Sequence, residues 1–304
     1  WGWHIDHIKP ISLFDLNENP AKYQVEFTAK VKNLSSDPNL VQIVMPFPLQ
    51  STYQKIIGQY TLSPKGKMKK ESKFQNQYIS WREVFKLKEE KTFNLKFKIS
   101  IKPRNKPIKE NINLSKFLKG DKFIDPKMVS KISNNLTKQA SDIYKKVKML
   151  NDYVVNNLEY GNPIKGLYTT NQALKTDAVD CGGFDTLLAS LCISQKIPAR
   201  IISGFFANNN NQMHAWVEIF IAGEGWIAAD PSIEKLSKEG RSEKRAKLGN
   251  VPADRIALSV GQNHNLGLED NTSLKLDILQ NPQSVAQKGE KSIKLETEFK
   301  TREI

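Results

Sequence analysis

The chain has 304 residues, 46 basic against 32 acidic side chains, and a formal net charge of +14 at pH 7. With 39% apolar residues, 14 Phe and 5 Trp it is rich enough for real cores, at a length that suits about two domains, and no apolar run approaches the ~20 residues of a membrane helix. Its two cysteines, Cys181 and Cys192, exclude a disulfide framework.

Residues 1–20 carry His4, Asp6 and His7 on a strand-like run. Asp6-His7 resembles the opening strand of HNH-type nucleases, which implies a metal ligand and a general base. That fold needs a second ligand helix, and the next histidine is His214, so the match lacks its context. Two histidines do not make a metal site. The simpler reading is an N-terminal extension, a terminal strand or a fusion remnant.

Residues 21–105 alternate in strand fashion at 23–33, 41–46, 53–62, 77–85 and 92–102, with turns at Pro46-Phe47-Pro48 and Ser63-Pro64. This spacing predicts an antiparallel β-sandwich domain. Residues 106–124 read as a linker or covering strand. Asp125-Pro126 opens a helical region, and Ile143, Val147, Leu150, Val154 and Leu158 form one apolar helical stripe that Gly161 and Pro163 end.

The chemistry lies in 181–231. Phe184, Leu187, Leu188, Leu191 and Cys192 recur at helical spacing, so a helix starts near Cys181 with Asp180 as its N-cap. A sulfur there lies among unpaired N–H groups at the positive end of the helix dipole, which favours the thiolate. Cys192, eleven residues on, lies about 16 Å along the axis and cannot bridge to it. Gly182 and Gly183 let a substrate backbone approach the sulfur. Residues 208–211 read as a polar loop at the cleft rim. Residues 213–221 and 226–230 read as a hairpin, with His214, Trp216, Glu218 and Phe220 on one face. Placing Asp230 directly across from His214 predicts an odd loop of three or five residues centred on Ala222, with a glycine in the left-handed region. Residues 232–249 are charged and read as an exposed insertion.

A thiol, an imidazole and a carboxylate in this arrangement are what an acyl-transferring thiol enzyme needs. Tyr168 and Gln172 lie shortly before the sulfur and are candidate donors to an oxyanion, beside the Cys181 N–H. Trp216 reads as a shield for the site and Glu218 as a structural hydrogen-bond partner.

These pieces resemble the transglutaminase-like superfamily of papain-type thiol enzymes: Cys181-Gly182-Gly183-Phe184, then Ile197-Pro198-Ala199-Arg200, then His214-Ala215-Trp216-Val217-Glu218, then Gly225-Trp226 to Asp230-Pro231, with 248–261 similar to its closing strand. The resemblance covers roughly 125–265. It implies an α+β, papain-like catalytic domain over 125–265, preceded by the β-sandwich. Residues 266–304 read as a C-terminal β extension, whose strands at 272–279 and 291–300 form a small final β unit or lie against the sandwich. It implies Cys181 as nucleophile, His214 as base and acid, and Asp230 as orienter. Val179 and Lys196 stand where many relatives carry glycine.

The expected function is cleavage of peptide or isopeptide amide bonds, with protein-crosslinking transglutaminase activity as the alternative outcome of the same acyl-enzyme. The competing class is a non-catalytic binding or scaffold module. No cofactor or metal is implied. The implied partner is a protein or peptide substrate. The scattered lysines read as a solvated face that also suits an anionic cell-surface polymer. No base-stacking motif accompanies the charge, which argues against nucleic acid. No signal peptide is visible and the first residue is Trp; the expectation is a mature chain or fragment acting outside the cytoplasm or at the cell surface.

Overall fold

The computed structural model describes residues 20–207 and 212–304. The readings made on residues 1–19 and 208–211 lie outside the described residues.

In chain order the strands are β1 (Ala21–Asn33), β2 (Asn39–Pro46), β3 (Gln54–Ser63), β4 (Lys67–Lys70), β5 (Gln77–Phe85) and β6 (Glu90–Ile101). Helices α1 (Ser130–Thr137), α2 (Ile143–Asn157), α3 (Thr170–Lys175) and α4 (Cys181–Ser194) follow. Then come β7 (Ala199–Phe206), β8 (Met213–Ile221), β9 (Gly225–Ala229), α5 (Pro231–Lys238), β10 (Arg255–Val260), β11 (His264–Gly267), β12 (Ser273–Leu276), β13 (Gln283–Ala286) and β14 (Ile293–Glu303). The class is α+β with antiparallel sheets, as the sequence implies.

Two four-stranded sheets, ordered β14-β1-β6-β3 and β13-β2-β5-β4, form the sandwich. Alternation along β1 and β6 puts Val25, Phe27, Ala29, Phe93, Leu95 and Phe97 into one shared core with Ile43, Ile79 and Trp81 of the facing sheet. Each such side chain contributes about 1.5–3 kcal/mol by leaving water. The last strand returns to the first: β14 pairs with β1 along eleven residues, from Tyr23 opposite Glu303 to Asn33 opposite Ile293. Strands β13 and β14 thus lie in the sandwich rather than in a separate unit.

A third sheet, ordered β10-β7-β8-β9, carries the helices on one face. Phe205, Ile256 and Leu258 of this sheet join the sandwich core. Ala215, Val217, Ile219 and Ile221 of β8 face the helices. His214, Trp216 and Glu218 alternate with them, so they share the other face. Helix α4 is buried from Gly182 to Ile193, which explains why its sequence is apolar nearly all round. Gly204 lies opposite His214 in the β7–β8 ladder. A Cβ on Gly204 would stand 1.9 Å from the Ile256 carbonyl oxygen, so only glycine lets β10 approach there.

The segment read as a linker covers the third sheet. Arg104 bridges to Val251 and Ile108 to Trp226, so this stretch runs beside β9 as a partial extra strand. Charged side chains anchor it. Buried Glu218 accepts from Arg104 NH1 through one oxygen and from Arg200 Nε at 2.7 Å through the other, and Arg200 reaches on to Glu110 at 2.8 Å. Arg104 lies over the Tyr53 ring and Arg200 over the Trp226 ring. Glu218 is thus the structural partner the sequence suggested.

The reading of 232–249 as an exposed insertion holds for most of 238–249 and is corrected by α5 over 232–236. Pro231 to Leu236 are buried, with Ile233 and Leu236 packed into a small core. The charges that suggested exposure are paired. Lys235 binds Glu159 and Glu239, each at 2.9 Å, and Glu234 accepts from Asn151 at 2.9 Å. Asp230 as N-cap and Pro231 in the first turn were the helix signals in the sequence.

Candidate active site

Cys181 opens α4. The Asp180 side chain caps the helix by accepting from Gly183 N, and its other oxygen accepts from Ile164 N at 3.1 Å. The cap therefore also ties down the strap that runs from 161 to 168. Cys181 is half-buried, and Cys192 is buried deep in the same helix; both are free thiols.

The hairpin brings His214 and Asp230 together. The loop spans Ala222, Gly223 and Glu224, three residues as predicted, with Gly223 at φ +85°. It is centred on Gly223 rather than Ala222. Val217 opposes Ala229, so continuing the register puts Asp230 across from Trp216, one diagonal step from His214 on the same face. The diagonal is close enough: His214 Nε2 and Asp230 Oδ2 are 2.7 Å apart, with both side chains at most 3% exposed. An ionised Asp230 accepts, so Nε2 carries the hydrogen and Nδ1 is the basic nitrogen of the neutral ring. Phe206 stacks on the imidazole at 4.3 Å, and Trp216 lies beyond at 6.3 Å.

Asp230 is held from four sides. Besides His214, Arg255 Nε donates to Oδ2 at 3.1 Å, while Ile233 N and Ser232 Oγ each donate to Oδ1 at 3.1 Å. Burial alone would raise its carboxyl, but the charges of His214 and Arg255 outweigh burial and hold it well below the usual carboxylate range. Underneath, Gln280 Nε2 donates to the carbonyls of His214 at 2.9 Å and Gly204 at 2.6 Å, fixing the backbone that carries the imidazole.

β9 ends at Ala229, opposite Val217, which leaves the start of β8 with β7 on one flank only. The N-terminus of α4 comes up to this region, with Cys181 packed against the cluster that contains Ala215, the residue next to His214. The electrostatics of the sulfur differ from the sequence expectation. Burial pushes the Cys181 thiol up, the carboxyls of Asp185 and Asp180 push it further, and the Ala215 N–H only partly opposes them. These effects oppose the helix dipole and favour the thiol form.

Asp185 lies one turn along α4 from Cys181, fully buried, and neither of its oxygens meets a hydrogen-bond partner among the described residues. Burial, then Asp230 and Asp180, raise its carboxyl far above the usual range, so it stands as a neutral acid. This sets a pH signature. The unfolded carboxyl ionises near pH 3.9 while the folded one stays protonated, so Asp185 destabilises the fold progressively as pH rises above about 4, until the folded group ionises too. Asp185→Asn is therefore expected to gain stability over wild type by about 1.4 kcal/mol per pH unit between roughly pH 5 and 7. Urea melts at several pH values check this; a pH-independent difference would mean that Asp185 is ionised in the fold.

Of the two sequence candidates for an oxyanion donor, Tyr168 is engaged elsewhere: its OH donates to Asn162 O at 2.6 Å. Gln172 is exposed on α3, where its side-chain oxygen accepts from Thr169 N and Oγ1 in the capping box and its NH2 group meets no partner among the described residues. Trp216 is buried with its indole N–H unpartnered among the described residues. Sequence reading missed Arg255, Gln280, Phe206 and Asp185. Only Asp185 left a signal, a single acid inside an apolar helix four residues after the thiol.

Residues 130–231 match the model of the transglutaminase-like superfamily. The chain carries a transglutaminase-like domain. YebA of Bacillus subtilis, itself uncharacterized, is 24% identical over 129 residues, covering 35% of this chain and 18% of that protein, so the match spans about a fifth of that relative's length. Among solved structures, a candidate cysteine protease from Cytophaga hutchinsonii superposes with a TM-score of 0.61 at 15% identity, covering 93% of this chain and 91% of that one. At that identity the likeness is one of fold, and it extends across the sandwich as well as the transglutaminase-like domain. The periplasmic domain of TgpA from Pseudomonas aeruginosa aligns over 74% of this chain and 94% of its own, with a TM-score of 0.40 and 13% identity. Among the described residues no helix is long and apolar enough to cross a membrane.

Proposed function

We propose that this protein is a thiol-dependent acyl-transfer enzyme that hydrolyses peptide or isopeptide bonds, with Cys181 as nucleophile, His214 as base and acid, and Asp230 as orienter. The observation that carries the reading is the buried 2.7 Å His214–Asp230 pair beside the helix N-terminus that bears the thiol. Because the resting sulfur favours the thiol form, its proton passes to His214 Nδ1 as it attacks the carbonyl, rather than before. The imidazolium is then stabilised by Asp230 and returns the proton to the leaving amine, giving an acyl-thioester that water resolves. The name given to the Cytophaga hutchinsonii protein favours hydrolysis over resolution by a second amine.

The test is a peptide-library digest with and without an amine donor, wild type beside Cys181→Ala, read by mass spectrometry. Cys181-dependent cleavage products are expected. Amine incorporation without cleavage would turn the reading to a crosslinking transglutaminase. Neither product, with iodoacetamide failing to prefer Cys181 over Cys192, would leave a binding module.

A further inference from the structure

Tyr168 spends its O–H on Asn162, and Gln172 is exposed on α3 with its oxygen in the capping box, so neither is placed as the side-chain donor that an acyl-transfer enzyme aims at its oxyanion. A different hydroxyl is available. Tyr160 follows α2 and pairs by a parallel bridge with Val179, two residues ahead of the sulfur. Gly161 N donates to Val179 O at 3.0 Å, and Val179 N to Glu159 O at 2.9 Å. Arg241 donates to the Tyr160 carbonyl at 3.2 Å, and Lys235 holds Glu159. The backbone of this residue is thus fixed relative to the start of α4.

Its side chain is placed as firmly. The ring lies 6.2 Å from that of Phe184, three residues along α4 from Cys181. It also packs on the small core that contains Phe206, the ring stacked on His214. Tyr160 therefore spans from the sulfur-bearing helix end to the wall behind the imidazole. Its hydroxyl makes no hydrogen bond to any described residue. Burial, and next the Cys181 sulfur, push the phenol up, so the O–H remains a donor throughout the working range.

We propose that Tyr160 is a further catalytic residue, its phenol O–H donating, with the Cys181 backbone N–H, to the oxyanion formed when the sulfur adds to the acyl carbonyl. The proposal rests on the reading of Cys181 as nucleophile. In that step the S–C bond forms, the carbonyl π pair moves to oxygen, and the thiol proton goes to His214. On collapse the C–N bond breaks and His214 protonates the amine. Tyr160 keeps its own proton and stabilises the intermediate only.

The experiment compares two reactions of the same sulfur in the full chain. Acylation by p-nitrophenyl acetate passes through an oxyanion; alkylation by iodoacetamide displaces iodide at a saturated carbon and forms none. Tyr160→Phe is expected to slow acylation by about 10²-fold while alkylation of Cys181 stays within about twofold of wild type. Tyr168→Phe serves as the control and changes neither rate. Equal acylation by Tyr160→Phe and wild type overturns the proposal. So does a parallel loss of both reactions, which means that the ring positions the helix instead. Wild-type acylation no faster than that of Cys181→Ala overturns the nucleophile reading itself, a separate outcome.

Discussion

Asp230→Asn is expected to lower Cys181-dependent turnover by about 10³–10⁴-fold. The carboxylate accepts from four donors at once: His214 and Arg255 on one oxygen, Ile233 N and Ser232 Oγ on the other. An amide offers one acceptor oxygen. If that oxygen faces Ile233, the NH2 points at His214 and Arg255, and Nε2 must accept a hydrogen bond. The ring proton then moves to Nδ1, where it blocks proton transfer from the thiol. If the oxygen faces His214, the NH2 meets the N–H groups of α5 and the cap is lost, at about 1 kcal/mol. The substitution also has a pH signature. Asp230 is held below its unfolded value, so its stabilisation is present above about pH 4 and fades as pH falls through the folded value. The stability difference between wild type and Asp230→Asn should be flat from about pH 5 to 8 and shrink in stronger acid. Iodoacetamide kinetics and denaturant melts measure the two parts; unchanged alkylation would remove Asp230 from the mechanism.

Glu218→Gln is expected to destabilise the protein by about 3–5 kcal/mol, a fall in Tm on the order of 10 °C. Glu218 is 1% exposed and faces two guanidiniums that are nearly as buried. Arg200 keeps Glu110 as a second partner, but Glu218 is the acidic partner recorded for Arg104. Burial already pulls the Arg104 guanidinium down to about 10, so removal of its carboxylate leaves a charge that the site poorly tolerates. Combining Glu218→Gln with Arg104→Met should recover part of the loss, because the unpaired charge leaves with the arginine. If the double variant is no more stable than Glu218→Gln, the cost lies in strand packing instead. Glu218 shares its strand face with His214, so the damage should also appear as slower alkylation of Cys181.

Short-range physics made much of this molecule readable in advance. Alternation gave β1, β2, β3, β5 and β6 to within about two residues at each end but not the short strands β4 and β13, and the Asp180 cap with its apolar run gave the start of α4. Pairing His214 with Asp230 gave an odd turn, yet its centre fell one residue late, at Gly223, which takes the left-handed conformation. Arg255 and Gln280 were not readable. Their roles depend on which distant strands become neighbours, and no local pattern encodes that. The groups that oppose the thiolate were not readable for a related reason. The dipole of α4 is a local property, whereas the depth of the sulfur and the position of Asp185 beside it are properties of the assembled core.

The support beneath the imidazole reaches further along the chain than the family likeness does. The match to the family model ends at 231, but Arg255 grips the Asp230 carboxylate and Gln280 holds the backbone carbonyls of His214 and Gly204. Gln280 is itself carried on the stretch between β12 and β13, and the strand after it closes against β1. A transplant of the segment matched by the family model into another scaffold would therefore bring Cys181, His214 and Asp230 without the brace that holds the histidine and the aspartate in position.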